Sequence, residues 1–381
     1  MNLSDGEQRC RGCGRSEVEE LQKYRDLARV SSDCRSLNTR GCLFWCPRCG
    51  LVQKVLTRSL KKELRGIYQS YETYQNNIEP MVFSSDVTEH RSNLIFNTIE
   101  DIEIIPSRGT YVDIGCGDGS FLKVFSNYRP EWSLYGFDVN ERRIADIEKV
   151  CGKGHFISKS LDKIPDAIDL ITMNYVLEHI DDVDPVLETL FSKLSQNGRL
   201  VAIVPDLENN PYDIVVGDHL SHYTEETLRN QFQNFNLIKI KKIFQKELIV
   251  LARKKDSQMG TTSTVGALHS DKNLGEESIR YLISVRSQAQ VSSIEEKVFG
   301  ILGTAIAGTW LSTELQNVDH FFVDENTEKC GRFHLGKAIL GPDEVPDGAT
   351  IYLPFDLKTS TSIMARMKNL SNVKFIQLEL N

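Results

Sequence analysis

The chain has 381 residues, 40% apolar and 26% charged, with a formal charge of −8. That length suits two or three domains, and the ordinary composition excludes collagen, coiled coil and wholesale disorder. No apolar run reaches the roughly 18–20 residues of a membrane span, the first residues lack the apolar stretch of a secretion signal, and the acidic balance speaks against a general nucleic-acid binder, so a cytoplasmic protein is expected.

Residues 1–60 stand apart. Six of the nine cysteines lie there, and residues 1–65 carry 14 Lys and Arg against 8 Asp and Glu. Cys10-Arg11-Gly12-Cys13 and Cys46-Pro47-Arg48-Cys49 are two CxxC knuckles, each followed by a glycine, Gly14 or Gly50. In a reducing compartment such a cluster points to metal rather than disulfides. Four thiolates suit a closed tetrahedral Zn²⁺ site, structural because it leaves no open position. A Cys-rich segment with little apolar core also needs such a staple. Reduced, half-buried thiols are the plainer alternative, and Cys34 and Cys42 are available as substitutes.

Residues 61–108 read as a helical cover. Residues 109–254 alternate short β-rich runs with helical patterns, the mark of a parallel sheet flanked by helices. Thr110–Ile114 is a strand pattern running into Gly115-Cys116-Gly117-Asp118-Gly119, and a helix with Phe121, Leu122, Val124 and Phe125 follows. Glycines there let the backbone turn sharply and approach a ligand. The next strand, Ser133–Phe137, ends at Asp138, whose carboxylate can accept from both ribose hydroxyls. Asp118 inside the turn would repel a pyrophosphate, whereas the cationic sulfonium of S-adenosylmethionine suits an acidic turn. Residues 255–275 are a polar linker. In 276–381, Lys297–Leu302 leads into Gly303-Thr304-Ala305-Ile306-Ala307-Gly308, and the strand His320–Val323 ends at Asp324. This is a Rossmann-like half with a damaged fingerprint, since Ala305 adds a methyl group where a pyrophosphate would approach. It reads as a scaffold, still able to help hold the nucleotide part of an activated sugar.

VDIGCGDGSFL followed by GFDVN resembles motifs one and two of the class I S-adenosylmethionine-dependent methyltransferases. The resemblance continues through 109–254, with a strand at Asp169–Asn174, the segment VLEHIDDVDPVL and a strand at Leu200–Val204. It implies an α/β fold: a Rossmann-like core between an N-terminal zinc-binding module and a C-terminal degenerate Rossmann-like domain. It also implies that Asp113, Gly115, Cys116, Gly117 and Gly119 surround the methionine part. Asp138 would hold the ribose, Val139 and Leu161 the adenine, and Asn174 would lie beside the sulfonium. Ser160 stands where an acid is usual.

Methyl transfer to a hydroxyl needs alignment and a base. Three histidines follow strands of this region, His179, His219 and His222. The whole layout resembles the zinc-containing sugar C-methyltransferase superfamily of bacterial deoxysugar and surface-polysaccharide pathways. In GDHLSHY, His219 falls at the base position of a YHEHFSY-type stretch and Asp218 at its Glu. His222 is weighed mainly as a loop-fixing residue, and His179 as an acceptor-site or helix-face residue. Val216 and Gly217 replace the Tyr and first His of that stretch, so transfer to oxygen is expected over transfer to carbon. The family covers its site with tyrosines of the preceding helix; Tyr68 is the best candidate among Tyr68, Tyr71 and Tyr74. The implied partner is a nucleotide-sugar or glycan precursor. Sugar C-methylation remains an alternative, as does an RNA methyltransferase using a basic zinc knuckle, although Phe44-Trp45 is its sole aromatic pair.

Overall fold

The first sixty residues carry too few large apolar side chains for a core of their own, and the strands among their described residues are two residues long. The computed structural model describes residues 9–71, 81–83, 88–103, 105–254, 271–367, 370 and 372–378. The strands are β1 (Glu19–Glu20), β2 (Arg29–Val30), β3 (Ser36–Leu37), β4 (Phe44–Trp45) and β5 (Val52–Gln53). Helix α1 (Arg58–Gln69) follows, capped by Thr57, whose hydroxyl accepts from the Leu60 N–H at 3.1 Å. The helical cover expected over 61–108 is interrupted: an antiparallel hairpin, β6 (Met81–Phe83) with β7 (Thr88–His90), precedes α2 (Arg91–Ile102). Val82, Phe83 and Thr88 favour extended backbone, a local preference too short to show in the helical pattern around it. Tyr74 lies outside the described residues.

The central region runs β8 (Thr110–Ile114), α3 (Ser120–Tyr128), β9 (Ser133–Phe137), α4 (Ile144–Cys151), β10 (Phe156–Ile157), β11 (Ile168–Asn174), α5 (Val183–Lys193), β12 (Leu194–Pro205), β13 (Ser221–His222), α6 (Glu225–Gln231), β14 (Asn236–Ile243) and β15 (Glu247–Arg253). Seven of these strands form one sheet, ordered β10-β9-β8-β11-β12-β15-β14. The first five are parallel, and the last two close the edge antiparallel. Their near-continuous apolar runs fit strands buried on both faces. Val112, Ile114, Ile171 and Met173 pack toward Leu187 and Leu190 of α5. Tyr111, Leu170 and Val201 pack toward Phe96 of α2 and Phe125 of α3. Strand order reverses between β8 and β11, where open α/β sheets bind ligands beyond their carboxyl ends.

Residues 255–270 of the expected linker lie outside the described residues, and helix α7 (Asp271–Glu295) begins at Asp271. Then come β16 (Phe299–Leu302), α8 (Ile306–Glu314), β17 (Phe321–Val323), β18 (Phe333–His334), β19 (Lys337–Leu340), β20 (Thr350–Leu353), α9 (Leu357–Arg366) and β21 (Lys374–Gln377). The sheet order is β18-β19-β17-β16-β20-β21, so the same reversal recurs between β16 and β20.

The N-terminal segment is wedged between the two larger sheets. Strand β5 pairs with β13, Gln53 opposite Ser221 and Val52 opposite His222. Tyr24 donates to the Ile214 carbonyl at 2.7 Å, and Trp310 of α8 donates to the Ala28 carbonyl at 3.2 Å. Leu21, Tyr24, Leu27 and Leu43 share one core with Ile214, Leu282 and Trp310. Among the described residues, no helix is long and apolar enough to cross a membrane.

Candidate active site and a four-cysteine cluster

The turn after β8 is held open by its glycines. Gly115 has φ +71°, and a Cβ there would lie 2.4 Å from Cγ2 of Val176. The Gly115 and Cys116 N–H groups donate to the Phe137 carbonyl at 2.7 and 3.1 Å, tying the turn to the end of β9. Asp138 follows directly. Its carboxylate accepts from the Gly117 N–H at 2.9 Å and the Asn140 N–H at 2.7 Å, which fixes it at the mouth of a cavity. Val139 beside it is 72% exposed, an apolar face suited to a purine. Asn174, at the end of β11, has both side-chain amide atoms buried without a partner on the cavity wall. Asp113, Gly115, Cys116, Gly117, Asp138, Val139, Leu161 and Asn174 all line this cavity. Gly119 does not; at φ +81° it begins α3, so its part is the turn itself. Asp113 accepts from the Thr172 hydroxyl at 2.6 Å, and burial pushes its carboxyl up to about 7. The cradle fits S-adenosylmethionine: an unpartnered amide, an apolar platform, a fixed acid for the ribose and several carboxylates for a sulfonium.

Beyond Asn174 the cavity is lined by Tyr68, Glu178, His179, Asp213 and His219. Asp213 was not singled out from the sequence, yet it organises the group. It is 1% exposed, and its two carboxylate oxygens meet Nδ1 of His219 at 2.6 Å and Nδ1 of His222 at 2.5 Å. Burial raises a carboxyl, but the two imidazoles outweigh it and hold Asp213 below the usual carboxylate range. Conversely, burial lowers His219, and Asp213 outweighs it, so His219 is raised. His179 is lowered by burial and by His219, whose ring lies edge-on to it at 4.7 Å. Nδ1 of His179 is 2.9 Å from the Asp218 carbonyl and 3.2 Å from the Tyr68 hydroxyl.

Two of the acceptor-side candidates do not reach the cavity wall. Asp218 is fully buried and accepts from Ser32, at 2.8 Å from the N–H and 2.6 Å from the hydroxyl. It therefore fixes the loop that carries His219. His222 is fully buried behind Asp213 and lies 3.0 Å from Nζ of Lys54, so it cannot meet an acceptor. Lys54 itself, unforeseen, is fully buried and donates to the Val216 and His219 carbonyls at 2.8 Å each. Its only sequence signal is a lysine inside the apolar run Leu51–Leu56. Thr224 caps α6 in a reciprocal box with Thr227.

The four knuckle cysteines converge. Cys10 and Cys49 sulfurs are 3.4 Å apart, Cys13 and Cys46 sulfurs 3.7 Å, and all four lie within 4.8 Å of one another. Thiolates about 2.3 Å from one tetrahedral ion would be roughly 3.8 Å apart, so the donor set fits Zn²⁺. Gly14 and Gly50, at φ +69° and +79°, donate back to the Cys10 and Cys46 carbonyls to close each knuckle. Cys34 and Cys42 lie outside the cluster; Cys34 lines the large cavity instead.

Residues 87–242 match the family model described as a methyltransferase domain. The centre of the chain is a methyltransferase domain. An uncharacterized protein of Haemophilus influenzae is 28% identical over 142 residues, 32% of this chain and 56% of that protein. Ribosomal RNA small subunit methyltransferase C of Serratia proteamaculans is 30% identical over 132 residues, 34% of this chain and 33% of that protein. The chain thus spans between a third and a little over half of these relatives. An S-adenosylmethionine-dependent methyltransferase structure from Aquifex aeolicus overlaps 41% of this chain and 87% of its own, with 17% identity and a TM-score of 0.36. The matched residues include the β8 turn, Asp138, Asn174 and His219, so the methyltransferase domain carries both the cofactor cradle and the histidine cluster.

Proposed function

We propose that this chain transfers the methyl group of S-adenosylmethionine to a sugar hydroxyl on a nucleotide-sugar or glycan precursor, with Zn²⁺ in the four-cysteine cluster bracing the N-terminal segment. The observation that carries the reading is a single cavity of about 1520 Å³. It runs from Gly115 and Asp138, past His179 and His219, to Thr304, Lys329 and Arg332 of the C-terminal sheet. One small ligand needs roughly 300–1,000 Å³, so this space suits a cofactor and a bulky second substrate side by side. Arg332 adds a cationic group at the far end, suited to a phosphate-bearing acceptor; Lys329 beside it is paired with Asp324.

S-adenosylmethionine supplies a methyl group already activated by its sulfonium. What remains for the protein is to align the acceptor oxygen and handle its proton. Asp213 holds Nδ1 of His219, which leaves Nε2 as the nitrogen for the acceptor hydroxyl. Tyr68 and His179 border the same space. Val216 and Gly217 offer no second acid–base group, which favours oxygen over carbon as the acceptor atom.

Transfer to RNA is the second reading, supported by the names of the ribosomal RNA methyltransferase relatives. Against it, five arginines of the N-terminal segment are engaged within the molecule. Arg11 pairs with Asp181, Arg25 with Glu20, Arg29 with Glu63, Arg35 with Asp33 and Arg40 with Glu314. Phe44 is buried in the sheet rather than offered for stacking.

The test is incubation with labelled S-adenosylmethionine against nucleotide-sugar and RNA panels at low and high salt. Sugar labelling that tolerates salt supports the first reading; RNA labelling that falls steeply with salt supports the second. His219→Ala should lose about 10²- to 10⁴-fold in turnover with S-adenosylhomocysteine binding unchanged. Near-normal turnover overturns the assignment of His219.

A further inference from the structure

Glu178 is the least explained group in the cavity. It is fully buried, and neither carboxylate oxygen has a hydrogen-bond partner. A desolvated carboxylate without a partner is costly unless something positive comes to meet it. It sits in a three-residue turn beside His179, and His219 faces both from the loop before β13. One ligand-capable atom from each of Glu178, His179 and His219 lies within 4.8 Å of the other two.

The two imidazoles are arranged as metal-bound imidazoles are. Each has Nδ1 committed elsewhere: His179 to the Asp218 carbonyl, His219 to the Asp213 carboxylate. Such partners fix the tautomer and leave the other nitrogen as a free lone pair for an ion. Donors about 2.1 Å from one ion stand roughly 3–3.5 Å apart, so side-chain rotation of about an ångström completes the set.

We infer that Glu178, His179 and His219 form a second metal site, separate from the cysteine cluster, that takes a first-row divalent cation and holds the acceptor through its open positions. Two nitrogens and one carboxylate oxygen suit Mn²⁺, Fe²⁺ or Zn²⁺ rather than a soft thiolate-seeking ion. The chemistry assigned to it rests on the methyl-transfer reading; the site itself rests on geometry alone. An acceptor hydroxyl bound to the cation is acidified. Its O–H bond breaks with the proton passing to water. The oxygen forms a bond to the methyl carbon of S-adenosylmethionine as the C–S bond breaks, its electron pair staying on sulfur. His219 then acts as a ligand, and the cation takes over the task of making the hydroxyl reactive.

The experiment uses the full zinc-loaded chain with S-adenosylhomocysteine bound and MnCl₂ as probe, free Mn²⁺ being followed by electron paramagnetic resonance. One Mn²⁺ per chain is expected, with zinc retained. Glu178→Gln and His219→Asn should each weaken it at least tenfold, and Asp213→Asn by about 10- to 100-fold, with S-adenosylhomocysteine affinity reporting that each variant is folded. Absence of a stoichiometric Mn²⁺ site, or binding indifferent to Glu178→Gln and His219→Asn, overturns the inference. Mn²⁺ binding without methylation of any sugar would sink the acceptor reading alone. Full sugar methylation in excess chelator, zinc retained, would sink the ion site alone.

Discussion

Two crevices in this molecule share one topology and differ in what their acids are doing. Each lies where strand order reverses, between β8 and β11 in one sheet and between β16 and β20 in the other. Each has a glycine turn and an acid at the end of the next strand. In the central crevice Asp138 accepts only backbone N–H groups and keeps capacity for a ligand. In the C-terminal crevice Asp324 accepts from the Thr304 hydroxyl at 2.7 Å and pairs with Lys329 at 3.2 Å. A Cβ on Gly308 would lie 1.9 Å from the Gly303 carbonyl, so helix α8 is pressed against its own turn. The same topology therefore leaves its acid available in one crevice and neutralises it with a neighbouring cation in the other.

Metal removal should separate the crevices most widely. The N-terminal segment touches both sheets and holds the loop carrying His219 through Lys54 and Ser32, while the glycine-turn cradle is built from β8, β9 and β11. Stripping the cysteine cluster with a thiol reagent and chelator should lower turnover at least about 100-fold, as expected when catalytic positioning is lost, with S-adenosylhomocysteine still bound in calorimetry. Joint loss of both would show that the central crevice does not stand by itself. Asp138→Ala comes next. Removing a charged hydrogen-bond partner costs about 1.5–3 kcal/mol, so S-adenosylhomocysteine affinity should fall roughly 10- to 150-fold. A change within twofold would erase the contrast between the two acids. Asp324→Asn should do least: cofactor affinity within about twofold, and a Tm lower by roughly 2–4 °C for about 1 kcal/mol of lost pairing. A large loss of cofactor affinity there would make the C-terminal crevice part of the cofactor site.

Six strands of the two sheets, β8, β9, β11, β12, β16 and β17, were legible because parallel strands are written as compact apolar runs; the edge strands β10, β14, β18 and β21, and β15, β19 and β20, were not. Thr110–Ile114 and Ser133–Phe137 have the bounds expected of them, and Asp138 follows from the end of β9. The acceptor side was only half legible. His179 and His219 could be found because few histidines follow these strands. Asp213 lies in Pro211–Val215, whose Tyr212, Ile214 and Val215 read as an ordinary apolar segment. Nothing local says that its carboxylate meets two imidazoles six and nine residues later. Lys54 and Ser32 owe their roles to partners more than 160 residues away, a separation that no local pattern records. Glu178 was visible as the charged residue in VLEHI, but its lack of a partner is a property of the folded cavity.

The pairing of β5 with β13 has a consequence for synthesis. Val52 leaves the ribosome about 170 residues before His222, its strand neighbour, and still longer before Trp310. At roughly 5–20 residues per second, the opening segment, with β5 already paired to β4, waits on the order of 10–30 s for β13, the strand that completes its sheet. Contacts so distant in sequence form slowly. A metal held early by the cysteine knuckles would keep this stretch of nascent chain compact until the strand that completes it has been made.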